Sequence, residues 1–309
     1  MDPRHLHTFV AVAECGSVSE AARRLHIAQP ALSRQLQALE SDLKTALLTR
    51  SGKGVALTPA GERLFPYALS VLRQLEAVPE IVAETEMISG RVAIGLPTTA
   101  SAVLSKPLLL AARAELPNVK LHLVESLSGH LNEMIQMGKL DLTLLYDPEP
   151  SPLINLEGIL IEELGLSGAS HALPAGRAQI RLEEIAGYPL AIPTGNHSLR
   201  RLIDTVSLRH GIKVNIAVEV DSLAVAKALI EDGDYFAILA PAAIQQELAS
   251  GRLRNLPIIK PHVRRSVSLA SSAVRGQTRA CQAVASLALR VARELLKSGV
   301  WKATPHSAG

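Results

Sequence analysis

From Gln29 to Gln37 the chain sets two kinds of side chain at helical spacing. Leu32, Leu36 and Leu39, continued by Leu43, make one apolar stripe, and Gln29, Ser33, Arg34 and Gln37 make a polar face beside it. The chemistry open to that face is recognition. A glutamine amide pairs bidentately with adenine, a guanidinium with guanine, and a hydroxyl with either base or with phosphate, so the set suits the major groove of duplex DNA. The same residues also describe the wet face of a helix in an ordinary bundle, and the neighbouring elements have to separate the two readings.

Those neighbours read as further helices and a hairpin. Ser17 is placed to accept from the Glu20 N–H while the Glu20 carboxylate returns to the Ser17 N–H, a capping box ahead of Ala21, Ala22 and Leu25. Pro30 carries the φ of a first helical turn, which is where a second short helix would begin. Upstream, Leu6, Phe9, Val10 and Ala13 mark an amphipathic helix over residues 3–14 that shares a core with the pair. Downstream, residues 47–50 and 55–58 flank Ser51-Gly52-Lys53-Gly54, a hairpin with Arg50 and Lys53 at its tip. A basic hairpin beside a helix-turn-helix can grip phosphate or enter the minor groove, and this wing shifts the balance towards DNA.

Thr58-Pro59 then opens a long helix striped by Leu64, Tyr67, Ala68, Val71, Leu75 and Val78. Standing between domains, the stripe stays wet unless a second copy of the chain covers it, so a dimer through this helix is expected; packing onto its own chain is the alternative. Pro66 and Pro79 each remove a helical hydrogen bond, which predicts a kink or an early end.

From Gly90 onward strands alternate with helices. Residues 91–96, 119–124 and 140–145 read as strands, with helices at about 101–115 and 128–137 between them. A second α/β unit has strands at 188–193, 215–220 and 235–240, helices near 198–210 and 222–232, and a helix from Pro241. Strand 265–270 and helix 278–297 return to the first unit, and the tail Trp301–Gly309 reads as disordered. The expected organisation is a winged helix-turn-helix domain at 1–58, a linker and dimerisation helix at 59–88, and a two-lobe α/β domain at 89–300, with lobe I at about 89–161 and 266–300 and lobe II at about 162–265. Two lobes joined by crossovers leave a cleft between them. Three strand-to-helix turns could face it: one with Thr98, Thr99, Ala100 and Ser101, one with Ser128, and one with Asn196, His197 and Ser198. Free N–H groups and hydroxyls at helix starts favour an anion or carboxylate, although ordinary N-capping explains each turn equally well.

Composition removes other classes. The 309 residues allow two or three domains, and 48% hydrophobic with 20% charged residues is a globular balance. Aromatics at 3% argue against stacking platforms for single-stranded nucleic acid, and a net charge of +3 tolerates a polyanion without requiring one. Cys15 and Cys281 form no CxxC or zinc spacing, which fits a reducing cytoplasm, with Cys15 expected to fill the core beside the first helix. The N-terminus lacks the apolar core of a signal peptide, and no run approaches a membrane span. No GxSxG, GxxxxGK, GxGxxG or HExxH motif occurs, and Asp204 and Asp221 have no evident carboxylate partner. No catalytic residue, cofactor or metal is therefore expected.

FVAVAECGSVSEAARRLHIAQPALSRQLQALESDL, then LLTRSGKGVALTPAG, a long helix and a two-lobe body strongly resemble the LysR-type bacterial transcriptional regulators. AARRLHIAQPALSRQLQALE and LTPAG carry the resemblance most specifically, and GRVAIGLPTTASAVLSKPLLLAARAELPNV with MIQMGKLDLTLLYDPEP looks closest to the nitrogen-assimilation-control branch. Leu48 stands where an aromatic is common before the wing. The resemblance implies a winged helix-turn-helix, a dimerising linker helix, an effector domain shaped like a periplasmic binding protein, a tetramer on operator DNA, and contact with RNA polymerase. It places Gln29, Pro30, Ser33 and Arg34 at DNA, with Arg50 and Lys53 in the wing. It also places Thr98 to Ser101, Ser128 and Asn196 to Ser198 along the inducer cleft. The function expected is sequence-specific DNA binding controlled by a small, anionic effector. The rival is a small-ligand-binding α/β protein or enzyme with an incidental helical N-terminal domain.

Overall fold

The computed structural model describes residues 2–51, 54–82, 87–195, 197–273 and 278–306. Asp2 starts α1 (Pro3–Cys15) by accepting from the Arg4 N–H, and Gly16 ends it at φ 62°, a left-handed position that a glycine takes without strain. Ser17 opens α2 (Val18–Arg24) by accepting from the Glu20 N–H at 3.4 Å. The reciprocal half of the expected capping box is absent because the Glu20 carboxylate pairs with Arg23, one turn on. In α3 (Gln29–Leu43) Pro30 lies in the first turn, and Leu32, Leu36 and Leu39 join Leu6, Phe9 and Val12 in one core. Leu43, expected to extend that stripe, is exposed at the helix end. Cys15, expected in the core, is half-buried against it.

The hairpin is β1 (Leu48–Ser51) paired antiparallel with β2 (Gly54–Leu57), Leu48 facing Leu57 and Ser51 facing Gly54. Next comes α4 (Pro59–Val82), which passes both Pro66 and Pro79 without ending. Phe65 and Ala68 lock its first half into the N-terminal core, and Phe65 meets Phe9 edge-on at 6.3 Å between centroids, so the packing outweighs the hydrogen bond lost at Pro66. The junction of wing and helix is tight. Gly61 donates to Thr58 Oγ1 at 3.0 Å, and a Cβ added at Gly61 would stand 2.1 Å from the Leu47 carbonyl oxygen. Gly61→Ala should therefore cost about 1–3 kcal/mol in the N-terminal domain. The check is a lowered far-UV circular dichroism transition while emission from the single tryptophan, Trp301, keeps its midpoint; an unchanged dichroism melt would refute the tight junction.

Lobe I begins with β3 (Gly90–Pro97), α5 (Thr98–Glu115), β4 (Val119–Ser126), α6 (Ser128–Gln136) and β5 (Leu142–Tyr146). The chain then runs along β6 (Ile154–Glu163) and passes at Leu164 into lobe II. There it forms β7 (Gly165–Ala169), β8 (Ile180–Arg181), β9 (Leu190–Ile192), α7 (Ser198–Arg209), β10 (Ile216–Glu219), α8 (Leu223–Glu231) and β11 (Ala237–Leu239). A 3-10 turn at Pro241–Ile244, α9 (Gln245–Ala249) and β12 (Leu253–Ile259) follow. The helix expected from Pro241 is thus a tight turn and a single short helix. The return strand is β13 (Arg264–Ser272), followed by α10 (Arg279–Lys297) and β14 (Thr304–Pro305).

The six-stranded sheet of lobe I has the order β14-β6-β13-β5-β3-β4, and lobe II carries β11-β7-β12-β8 together with the β10-β9 pair. Among the described residues, β6 and β13 are the strands of the first sheet that also lead into the second lobe, and the Leu164 N–H donates to the Val263 carbonyl at 2.8 Å where the chain crosses. The strands β6, β7, β8 and β12 were not anticipated. Nor was order in the tail: Trp301 is fully buried, β14 pairs with Leu160 and Ile161 of β6, and the His306 N–H donates to the Ile159 carbonyl. Residues 307–309 of that tail lie outside the described residues.

Candidate nucleic-acid interface and inter-lobe cleft

On α3 the leucines face inward, which turns Gln29, Pro30, Arg34 and Gln37 outward as exposed residues, with Ser33 half-buried beside them. Ser19 of α2 donates to Gln29 Oε1 at 3.3 Å, and the Arg34 Nε lies 3.4 Å from the Pro30 carbonyl. His26, at φ 53°, makes the left-handed step between α2 and α3. The wing is tied to this surface twice. Glu40, on the last turns of α3, accepts from the N–H groups of Leu47 and Leu48 at 2.7 and 3.2 Å, and the Gly16 carbonyl accepts from Val55 at 2.8 Å. Sequence reasoning passed over Glu40 because an acidic residue late in an amphipathic helix reads as solvated. Lys53 lies outside the described residues, as does the Arg50 side chain.

Between the lobes is a cleft of ≈ 490 Å³. Ser128, Asn132, Tyr146, Asp147 and Glu149 line it from lobe I, and Ser198, Arg201 and Thr205 from α7 of lobe II. Two of the three predicted turns therefore converge. Ser128 sits at the start of α6 and its hydroxyl accepts from the Tyr146 N–H at 3.2 Å. In the third turn Thr99, Ala100 and Ser101 are buried, Ala100 within the lobe core and Ser101 paired with Ser105 at 2.7 Å, while Thr98 is half-buried. Asn196 lies outside the described residues. His197 caps α7 by accepting from the Leu199 N–H at 3.1 Å. Burial, reinforced by the positive field of Arg265, pushes its pKa down to about 4, so it stands neutral near pH 7. Asp221 has a partner that was not foreseen: it accepts from the Thr194 N–H and hydroxyl, both at 3.0 Å, and so fixes this turn.

Beneath the cleft lies a buried charged cluster. Arg265 on β13 and Glu162 on β6 are 3% and 0% exposed, and they meet through Nε at 2.7 Å and Nη2 at 2.6 Å on the same carboxylate oxygen. The other oxygen accepts from the Trp301 indole at 2.8 Å. The Arg265 Cζ stands 3.6 Å above the centroid of the Tyr146 ring. Burial alone would lower the Arg265 pKa, but the Glu162 carboxylate outweighs it and holds the guanidinium charged. Burial likewise raises the Tyr146 phenol above its ordinary value, so it remains protonated. Both strands that join the lobes, the cleft floor and the C-terminal tail thus meet in one set of contacts.

Residues 3–62 match the family described as "Bacterial regulatory helix-turn-helix protein, lysR family", and residues 85–293 match "LysR substrate binding domain". The chain is 32% identical over 293 residues to the nitrogen assimilation regulatory protein nac of Escherichia coli (strain K12), covering 94% of this chain and 95% of that one. The nac protein of Klebsiella aerogenes is 33% identical over 292 residues, with 94% of each covered. Among solved structures, a full-length OxyR variant from Pseudomonas aeruginosa superposes with a TM-score of 0.80 at 21% identity, over 100% of this chain and 99% of that one. Full-length CbnR complexed with its target DNA gives a TM-score of 0.55 at 24% identity, over 94% and 100%.

Proposed function

The chain belongs to the LysR family of bacterial DNA-binding transcriptional regulators, and from that membership we propose how its residues divide the task. It is a regulator and not an enzyme. Gln29, Ser33, Arg34 and Gln37 read base edges from the major groove, with Pro30 at the helix start, while Arg50 and Lys53 of the wing hold the backbone or the minor groove. The observation that carries this reading is the open polar face of α3, locked to the wing through Glu40, with the wing held in addition to the α1–α2 turn through Gly16. The helix and hairpin therefore meet a duplex as one rigid surface.

The test is Arg34→Ala in a gel shift on the DNA upstream of its own gene. Operator affinity should fall by about 1–3 kcal/mol, with little change in sequence-blind binding at the same salt. An unchanged operator footprint would remove Arg34 from base reading.

The remaining assignments follow the same division. The 59–88 segment joins two copies of the chain, two such dimers make a tetramer on the operator, and RNA polymerase is the partner through which the bound oligomer acts. The cleft, with Ser128, His197 and Ser198 at helix starts and the Thr98–Ser101 turn behind Tyr146, takes a small molecule with an anionic group. A ligand preferring one lobe arrangement shifts that equilibrium by its differential affinity, and the linker helices carry the change to the spacing of the DNA heads. Among the described residues no helix is long and apolar enough to cross a membrane. The proposed place of action is on DNA in the cytoplasm.

A further inference from the structure

We propose that the C-terminal segment Trp301–His306 is a strap on the hinge between the lobes, and that its docking or release sets how freely the lobes move; the proposal does not depend on what the cleft binds. The hinge is narrow. The chain crosses between lobes along β6 and β13, which stay paired up to Glu163 opposite Arg264, next to the crossing at Leu164 and Val263. The β5 ladder stops at Tyr146 opposite Val267, and β14 pairs with Leu160 and Ile161, so Glu162, Glu163, Arg264 and Arg265 form a ribbon of two strands. Such a ribbon twists more readily than a wide sheet, and twist at this point swings one lobe against the other.

The segment grips that ribbon where the ladders on either side have ended. Trp301 is fully buried in the lobe I core, and its N–H donates to the Leu295 carbonyl, which turns the chain back from α10 towards the sheet. Its indole donates to one Glu162 oxygen at 2.8 Å, Arg265 holds the other, and the Arg265 guanidinium lies over the ring of Tyr146, which borders the cleft. Because β14, β6, β13 and β5 are successive in the sheet, these four side chains make one line across it, from the C-terminal edge to the cleft. Beyond Trp301 the hold continues along β6: the His306 N–H donates to the Ile159 carbonyl, and the His306 ring covers Gly158, where an added Cβ would stand 2.6 Å from it. Releasing the segment takes the indole donor from a buried carboxylate, so the Glu162–Arg265 pair has to resettle, and Arg265 carries that change to Tyr146. The coupling runs both ways, since whatever moves Tyr146 acts on the segment by the same free energy.

The experiment is amide hydrogen exchange, read by mass spectrometry, on three proteins: the natural chain, a chain ending at Ala303, and Trp301→Phe. The shortened chain loses β14 but keeps Trp301 in the core, whereas Trp301→Phe keeps β14 and an aromatic body but loses the indole donor, and it serves alone should the shortened chain not fold. Exchange over residues 159–167 and 260–267 should rise about tenfold in each variant, with a smaller rise over 145–149 at the cleft, while 92–96 of β3 and 190–192 of β9 keep their natural rates. Equal acceleration of β3 would make the segment a general support of lobe I and overturn the proposal. Unchanged exchange at 159–167 and 260–267 would overturn it as well, leaving the hinge to the packing of Ala242, from lobe II, in the lobe I core. A faster hinge with 145–149 unmoved would refute the link between the strap and the cleft.

Discussion

Replacing Glu162 by alanine is expected to lower the stability of the effector domain by about 3–5 kcal/mol, the cost of leaving a buried guanidinium without its counter-charge. Arg265 has no route to water at 3% exposure, and its Nε and Nη2 both aim at Glu162. The Trp301 indole loses its acceptor in the same substitution. Trp301 is the only tryptophan, so its emission reports unfolding at this position alone, and the denaturant midpoint should move down without a change in slope. The matching double variant, Glu162→Met with Arg265→Met, should recover much of the loss, since an apolar pair of similar volume avoids both desolvation penalties. A single-variant loss under about 1 kcal/mol would show that the guanidinium has found other partners or water.

The same cluster marks where sequence reading ran out. Glu162 and Arg265 are 103 residues apart, Glu162 in a stretch assigned to no element and Arg265 at the start of an expected strand. Charge on a strand is ordinarily assigned to the wet side, and no local pattern says that two such strands will be neighbours in the middle of a sheet. Trp301 offered a fainter signal: the one tryptophan of a chain with 3% aromatics, set in a polar tail, is a large apolar body that folding would leave in water only at a cost. Its burial is what orders residues expected to be loose.

What was legible had a local cause. Leu32, Leu36 and Leu39 of α3, the Ser17 cap and the Pro30 start act within one or two turns, and the structure returns them, while Leu43 at the helix end is exposed. The strand-helix alternation after Gly90 was visible because β3, β5 and the helices beside them bury continuous apolar runs. Of the strands that were missed, β6 mixes buried and exposed positions irregularly and β12 buried and half-buried ones, as elements crossing between environments do. Convergence of Ser128 and Ser198 on one cleft follows from chain order alone, whereas the burial of Thr99 to Ser101 depends on how closely α5 packs into the lobe I core.

Introducing glutamate at both Val71 and Leu75 is expected to take the protein apart into single chains of 32.9 kDa without unfolding it. The helix α4 has two apolar faces. Phe65 and Ala68 spend one on their own domain, while Tyr67, Val71, Leu75 and Val78 leave the other open, between 40 and 53% exposed at helical intervals. Aliphatic residues in such a row are rarely left to water, and the spacing is that of a helix seam between two copies. Charges placed there meet their own image across a two-fold axis, so repulsion adds to the lost burial. Because both positions are exposed in the single chain, far-UV circular dichroism should not change. Operator affinity should fall by about 10²–10⁴, since each DNA head then binds a half-site without the effective concentration supplied by the other. Sedimentation would separate the outcomes: a variant that still runs as a dimer would place the contact elsewhere and leave this stripe to another partner.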